Sequence, residues 1–430
     1  MSTWLANAIV RGTDVSDWLS EKRQAALGKL KQQSWPNRKT EAWKYTPVSV
    51  IDRGAFSPAV NDVDANAAID AIDNLDASAL VFLNGRYCEA LSCKTLPEGV
   101  SITSFHNASA AQKEWALAQF ASVKPDRHLF GLINDVLAED GLLIDVEPGV
   151  QVTTLLRVVN LFSEGIEAHS RILVRVGKGA KLAIAEEFTN STPSLNTSFA
   201  EYVIEDNAEL EHYRFALQTG SALSVGGGHF KLHDHSKLHS TLVGFGSQLS
   251  RVDVDIEHAG QHAYAEKNVV YLLDGKEIFD LHSTIEHAKP NGTTEENVRG
   301  IVADQAKVVF NGRIHIHRDA QKTLAELNNR NLLLSRKAEV NTKPELEIYA
   351  DDVRCAHGAT VAELDTKALY YLQSRGVSRQ DAQIMLNFGF INELVDRMPN
   401  EALATWLRSK LKVRFAQMKV SSPQDALVNS

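Results

Sequence analysis

A seven-residue pattern returning every 28 to 30 residues constrains this chain more than any other feature. It reads apolar, two polar, a turn-former, a small residue, one polar, apolar. The first copy is Val146-Glu147-Pro148-Gly149-Val150-Gln151-Val152, and others begin at Val176, Ile204 and Leu232. These starts lie 30, 28 and 28 residues apart, a degraded copy follows at Ala259, and further copies begin at Val302 and Cys355. A fixed period of this size marks a solenoid. The turn position carries Gly149, Gly179, Asn207, His235, Gln305 or Gly358, mostly residues that tolerate a left-handed backbone. The next residue is small, as stacked coils require, and the flanking apolar residues are expected to point into a shared interior. The pattern therefore predicts a β-helix. A β-sandwich would not demand so regular a spacing. The polar run Ala288 to Thr294 breaks the order and reads as a protruding loop.

Helical periodicity is confined to the two ends, which divides the chain into residues 1–140, mixed and largely helical, a β-helix core at 141–363, and a helical region at 364–430. Near the start, Trp18, Leu19, Ala26, Leu27 and Leu30 recur at helical spacing, with Ser16 as N-cap. Trp43 and Tyr45 read as a surface strap packed on the next layer. Residues 55–75 read as loop or short helix. Ala79 to Cys88 gives a strand, an Asn84-Gly85 turn and a return strand, the strongest hairpin signal present. Phe130 to Ala138 reads as an amphipathic helix. After residue 366, one helix stops at Gly376 and a second opens at Ser378 with Asp381 three residues on. A third carries Leu403, Leu407, Leu411 and Phe415 on one face. That face either packs on its own domain or docks another protein. The tail after Met418 reads as loose.

Net charge is −9, which opposes nonspecific nucleic-acid binding, since that needs clustered Lys and Arg. No apolar run reaches the roughly 18 residues of a spanning helix, and Met1-Ser2-Thr3-Trp4 lacks a secretory pattern. Three cysteines, Cys88, Cys93 and Cys355, suggest no disulfide framework. Together these features read as a cytoplasmic protein. Cys88 and Cys93 have no ligand-spaced neighbour and read as packing residues.

Histidines gather in the solenoid at 229, 233, 235, 239, 258, 282, 287, 315 and 317. A zinc or iron site among them is conceivable, although turns and the outer face are the commoner place for each. In strands, His233/His235 and His315/His317 would share a face. Gly226-Gly227-Gly228 lacks the Lys-Ser/Thr of a phosphate loop, so nucleotide binding by this chain is not expected. No nucleophilic triad assembles. Asp351 and Asp352 would point to opposite faces of a strand and make a poor acid/base pair. Cys355 differs, because it fills an apolar slot of the repeat with His357 two residues on. That histidine could lower the thiol pKa or share a metal ion with it. A core cysteine beside a turn histidine is the equally weighted alternative.

Beyond spacing, the chain resembles the SufB/SufD family of iron–sulfur cluster assembly scaffolds along essentially its whole length. The resemblance is carried by Arg330-Asn331-Leu332-Leu333-Leu334-Ser335, by Lys343 to Ile348, by Asp351 to Thr360 and by Tyr371 to Gly376, with Trp43-Lys44-Tyr45-Thr46 matching near the start. It implies a right-handed parallel β-helix flanked by N-terminal and C-terminal α-helical regions. It implies a non-catalytic scaffold that pairs with SufB and docks the SufC ATPase on its C-terminal helices, and it leaves a homodimer open for the chain alone. By resemblance, Cys355 and His357 lie where a nascent iron–sulfur cluster or entering iron sits between SufB and SufD, His357 being the better candidate ligand. SufB carries further cysteines inside its solenoid, whereas this chain has none between Cys93 and Cys355. That absence implies the SufD branch and a supporting, iron-entry role. A stand-alone metalloenzyme and a purely structural partner are the competing readings.

Overall fold

The computed structural model describes residues 2–59 and 75–418. Most of the expected 55–75 loop, and the tail after Met418, lie outside the described residues.

From Asp140 the strands alternate strictly between two sheets. Ile166–Val176, Ser194–Ile204, Ala222–Leu232 and their successors up to Glu339–Ile348 form one; Lys181–Phe188, Glu209–Ala216, Lys237–Gly244 and successors up to Arg354–Glu363 form the other. Within this series every pairing is parallel and in step: Val176 lies beside Ile204, and Leu182 beside Leu210. The chain is a mostly β solenoid of about eight turns with helices at both ends. The apolar residues flanking the first repeats stack coil upon coil, and Leu182, Leu210 and Leu238 are wholly buried. Each such side chain contributes roughly 1.5–3 kcal/mol.

Turn geometry explains the repeat. Gly149, Gly179, Asn207 and His235 have φ of 77°, 68°, 57° and 56°, the left-handed region expected for these positions. Beyond them the spacing continues further than the sequence pattern indicated. His262 (φ 57°) occupies the turn of the copy near Ala259, and Asn291 (φ 62°) that of the next. Residues 288–294 are therefore a regular coil turn, not a protruding loop. The flanking slots hold His287 and Thr294, both buried. They fit because the Thr294 hydroxyl lies 3.0 Å from Nε2 of both His258 and His287, whose rings stack at 4.0 Å. In the Val302 copy the left-handed residue is Asp304 rather than Gln305. The Cys355 copy is no turn at all: Gly358 pairs with Asn328 in the middle of the strand Arg354–Glu363, where the ladder holds it extended.

Near the N-terminus, helices Thr3–Gly12, Ser20–Leu30 and Leu129–Leu137 cover the outer face of the first sheet. Helix Ser20–Leu30 has Leu19, not Ser16, at its N-cap, and that cap makes no side-chain bond. Trp43 is buried with the Arg251 guanidinium 3.9 Å above its ring, whereas Tyr45 is 45% exposed, so only half the expected strap packs. The hairpin Ser78–Leu83/Arg86–Tyr87 turns through Asn84 and Gly85, both at positive φ.

Glu167 clamps the first helix to the solenoid. It accepts from Trp4 Nε1 at 3.0 Å, lies 2.9 Å from His169 Nε2, and pairs with Arg11. Burial opposes its charge, but His169 and Arg11 outweigh that and hold the carboxyl down at about 2. A depressed carboxyl stabilises the fold above its unfolded pKa of about 4.5 and loses that stabilisation as pH falls toward 2. Between pH 4.5 and 2 about 3 kcal/mol is expected to be lost through this group. Glu167→Gln should flatten that part of the pH–stability curve measured by urea unfolding; an unchanged slope would refute the clamp.

At the other end, helices Thr366–Ser374, Arg379–Val395 and Glu401–Gln417 follow the last strand. Ser378 caps the second by accepting from Asp381 N at 3.1 Å, and Gly376 has φ 87°. Leu403, Leu407, Leu411 and Phe415 pack with Tyr213, Phe215, Val243 and Val270 on the outside of the second sheet. That face is occupied within the chain and does not itself dock a partner. Tyr370, Tyr371, Ile384, Met385 and Val413 remain exposed.

Candidate functional site

The solenoid ends abruptly at the strands Glu339–Ile348 and Arg354–Glu363, the outermost of their sheets. Each has a neighbour on one side only. Along Arg354–Glu363 every residue except Cys355 is exposed. Arg354 N donates to Thr323 O at 2.9 Å, so by the two-residue period the N–H groups of 355, 357, 359 and 361 face the open edge. This strand contains neither proline nor bulge, the usual guards of an edge. The companion edge differs: Glu339 N donates inward to Ala306 O at 3.0 Å, which turns the position of Pro344 outward and removes a donor there.

Cys355 and His357 sit on this last strand, in register with the buried Ala325 and Leu327. Cys355 packs against the solenoid core, and His357, two residues on, belongs to the same inward face. Because no further coil covers them, Cys355 is half-buried and His357 exposed. The pair thus lines the open mouth rather than a sealed interior. Burial pushes the Cys355 thiol above its ordinary pKa, while a bond with Ala325 acts the other way. The upward shift runs opposite to the lowering that His357 could supply, so burial makes the thiol hold its proton more firmly. Losing that proton is linked to binding a soft metal ion.

Behind the mouth the interior becomes polar. His357 follows Leu327, Glu296 and Lys267 along one file, and Lys267 Nζ lies 3.1 Å from Glu296 Oε1 with both side chains buried. Deeper still, Glu186 binds His212 at 3.0 Å and Arg214 at 2.7 Å. His212 was not singled out by its spacing. Polar residues at one register of four successive coils, His212, Ser240, Lys267 and Glu296, were the signal that could have found this file.

The other histidines scatter. His315 and His317 do stack on one face, at 4.4 Å. His233 and His235 lie in a turn, not a strand. His229, His258 and His287 are completely buried; His229 lies on the outer face of the first sheet, beneath the N-terminal helices and beside Phe199 and His128, whereas His258 and His287 stack inside, contrary to the outer placement expected. Among the described residues, one group has metal-holding geometry: His128, His229 and Asp255. His128 lies about a hundred residues from the other two, so no local spacing reveals it. Gly226, Gly227 and Gly228 belong to the strand Ala222–Leu232, where a Cβ on the first two would strike Ser198 O and Asp253 O at 2.4 and 2.3 Å. At these two positions glycine lets neighbouring coils approach closely. Cys88, Cys93 and Cys355 are all free. No helix among the described residues is long and apolar enough to cross a membrane.

Known proteins match this sequence over most of its length. Residues 6–158 match the SufBD protein N-terminal region, and residues 159–390 the SufBD core domain of SUF-system FeS cluster assembly. An iron-sulfur cluster assembly SufBD family protein of Synechocystis is 31% identical over 424 residues, covering 95% of this chain and 93% of the relative. The iron-sulfur cluster assembly protein SufD of Escherichia coli is 28% identical over 404 residues (92% and 93%). The chloroplastic protein ABCI7 of Arabidopsis thaliana is 26% identical over 409 residues (92% and 86%). The chain therefore belongs to the SufBD family, whose role is iron–sulfur cluster assembly.

Proposed function

We propose that this chain is the SufD-type scaffold of a three-component assembly, pairing with a SufB-type solenoid and docking a SufC-type ATPase while catalysing nothing itself. The observation that carries the reading is the uncapped end of the solenoid: an exposed, unguarded strand with Cys355 and His357 on its inward face. An edge of this kind recruits another chain by strand addition, and a second solenoid meeting it would enclose the mouth. The thiol and imidazole would then lie at a seam between two chains. A soft thiolate and an imidazole suit iron better than carboxylates do. The cluster is cargo at this seam, held transiently, with His357 the first ligand because its ring is exposed without any movement. ATP binding and hydrolysis fall to the SufC-type partner, whose docking the exposed Tyr370, Tyr371, Ile384 and Met385 of the terminal helices support. Dimerisation of that ATPase would pull on those helices, shift the paired solenoids and open the mouth to iron and sulfide.

Ala359→Pro tests the pairing. Its N–H faces the open edge, so proline there takes no bond from the chain's own ladder and removes one from the partner's. Co-expressed with SufB- and SufC-type partners, the variant should retain the wild-type melting profile and lose co-purification of SufB at least tenfold. Full recovery of the complex would place the partner elsewhere.

A further inference from the structure

We infer that His128, His229 and Asp255 form a binding site for a divalent transition-metal ion, at the seam between the N-terminal helices and the solenoid. The site belongs to this chain alone and does not depend on pairing at the open mouth. His128 is the N-cap residue of helix Leu129–Leu137, while His229 and Asp255 are direct neighbours on adjacent strands of the first sheet. Three separate elements thus aim one donor atom each at a common point. His128 Nε2 and His229 Nδ1 both lie 2.7 Å from the same oxygen, Asp255 Oδ2, and the three atoms all fall within 4.8 Å of one another.

Two imidazoles and one carboxylate are a common set for zinc, ferrous or cobaltous ions. With metal–ligand distances of about 2.0–2.2 Å, the contacts around Asp255 need only open by several tenths of an ångström. The surroundings match what a ligating histidine needs. When Nε2 of His128 binds metal, its Nδ1–H points toward Asp253 Oδ2, now 3.6 Å away. A carboxylate behind a ligating imidazole fixes its tautomer and raises its donor strength. Asp253 is itself held by Arg251 at 2.9 Å.

Nε2 of His229 is buried without a protein partner, so the ring makes its polar contact through Nδ1, to Asp255. Access is also provided for. Asp255 keeps 11% side-chain exposure, and its other oxygen pairs with Arg127, which is 45% exposed. Swinging that guanidinium outward would open the site and take one positive charge away from the approaching ion.

The test is a titration of the full-length chain, freed of metal with a chelator, using Co²⁺ alone as probe and visible absorbance as readout. The background carries Cys355→Ser and His357→Ala, so the mouth contributes no ligand. One equivalent of Co²⁺ should bind with a d–d spectrum, and Zn²⁺ should displace it. His229→Ala and Asp255→Asn should each weaken binding at least tenfold, and Asp253→Asn about 10- to 100-fold, as loss of an outer carboxylate does. Far-UV circular dichroism identifies variants that fold. Arg127→Ala leaves all three donors in place and should tighten binding about tenfold. Absence of stoichiometric binding, equal affinity in the folded variants, or no change on removing Arg127 would each overturn the site.

Discussion

Glu201→Ala should destabilise the chain by about 3–5 kcal/mol, the range for stripping one partner from a buried, hydrogen-bonded charge pair. Its carboxylate is completely buried. One oxygen accepts from Ala121 N at 2.8 Å and pairs with Arg171; the other accepts from Val123 N at 2.8 Å and Lys124 N at 3.0 Å. Alanine would leave three backbone donors without their acceptor. Arg171 would keep Asp135 at 3.0 Å, which limits the loss to this range. The same donors anchor residues 121–124, which lead into His128, so the damage should spread to the seam between helices and solenoid. Urea unfolding followed by circular dichroism measures it. A change below about 1 kcal/mol, within what an ordinary surface substitution produces, would mean that the carboxylate is not the anchor.

The other large effect concerns the mouth. His357→Ala with Cys355→Ser should lower iron–sulfur absorbance in the purified three-component complex at least tenfold, with subunit ratios unchanged. The two single variants separate the ligands. His357 is exposed, whereas Cys355 is half-buried with its thiol pKa raised by that burial, so His357→Ala should account for most of the loss. Equal cluster yield in the double variant would leave the chain as a structural partner only. Because Ala359→Pro acts on pairing and these substitutions on the cargo, the two parts of the proposal can fail separately.

Much of the solenoid was legible in the chain because its cause is local. Gly149, Gly179, Asn207 and His235 each need a left-handed backbone, and a residue type that tolerates it leaves a mark at a fixed interval. The last three helices were legible for a similar reason, since caps such as Ser378 and stops such as Gly376 act within a turn of the chain. Legibility failed where a residue's neighbours come from another coil. Ala288 to Thr294 looked irregular because His287 and Thr294 replace apolar residues, and only stacking beside His258 makes them fit. Cys355 to Val361 looked regular because Gly358-Ala359 imitates the turn pair, yet pairing with Leu324–Leu333 keeps it straight.

Sequence by itself determined the period, the turns and the helical ends, since each depends on φ preferences and hydrophobic spacing within a few residues. It also carried the family resemblance, because the stretch from Arg330 to Thr360 is continuous. Tertiary structure alone decided which coil is last, and hence that Cys355 and His357 line an open mouth rather than a closed core. It alone brought His128 to His229 and Asp255. The physical reason is the same in both cases: a side chain's exposure and partners are set by what stacks above and beside it, across separations that no local pattern encodes.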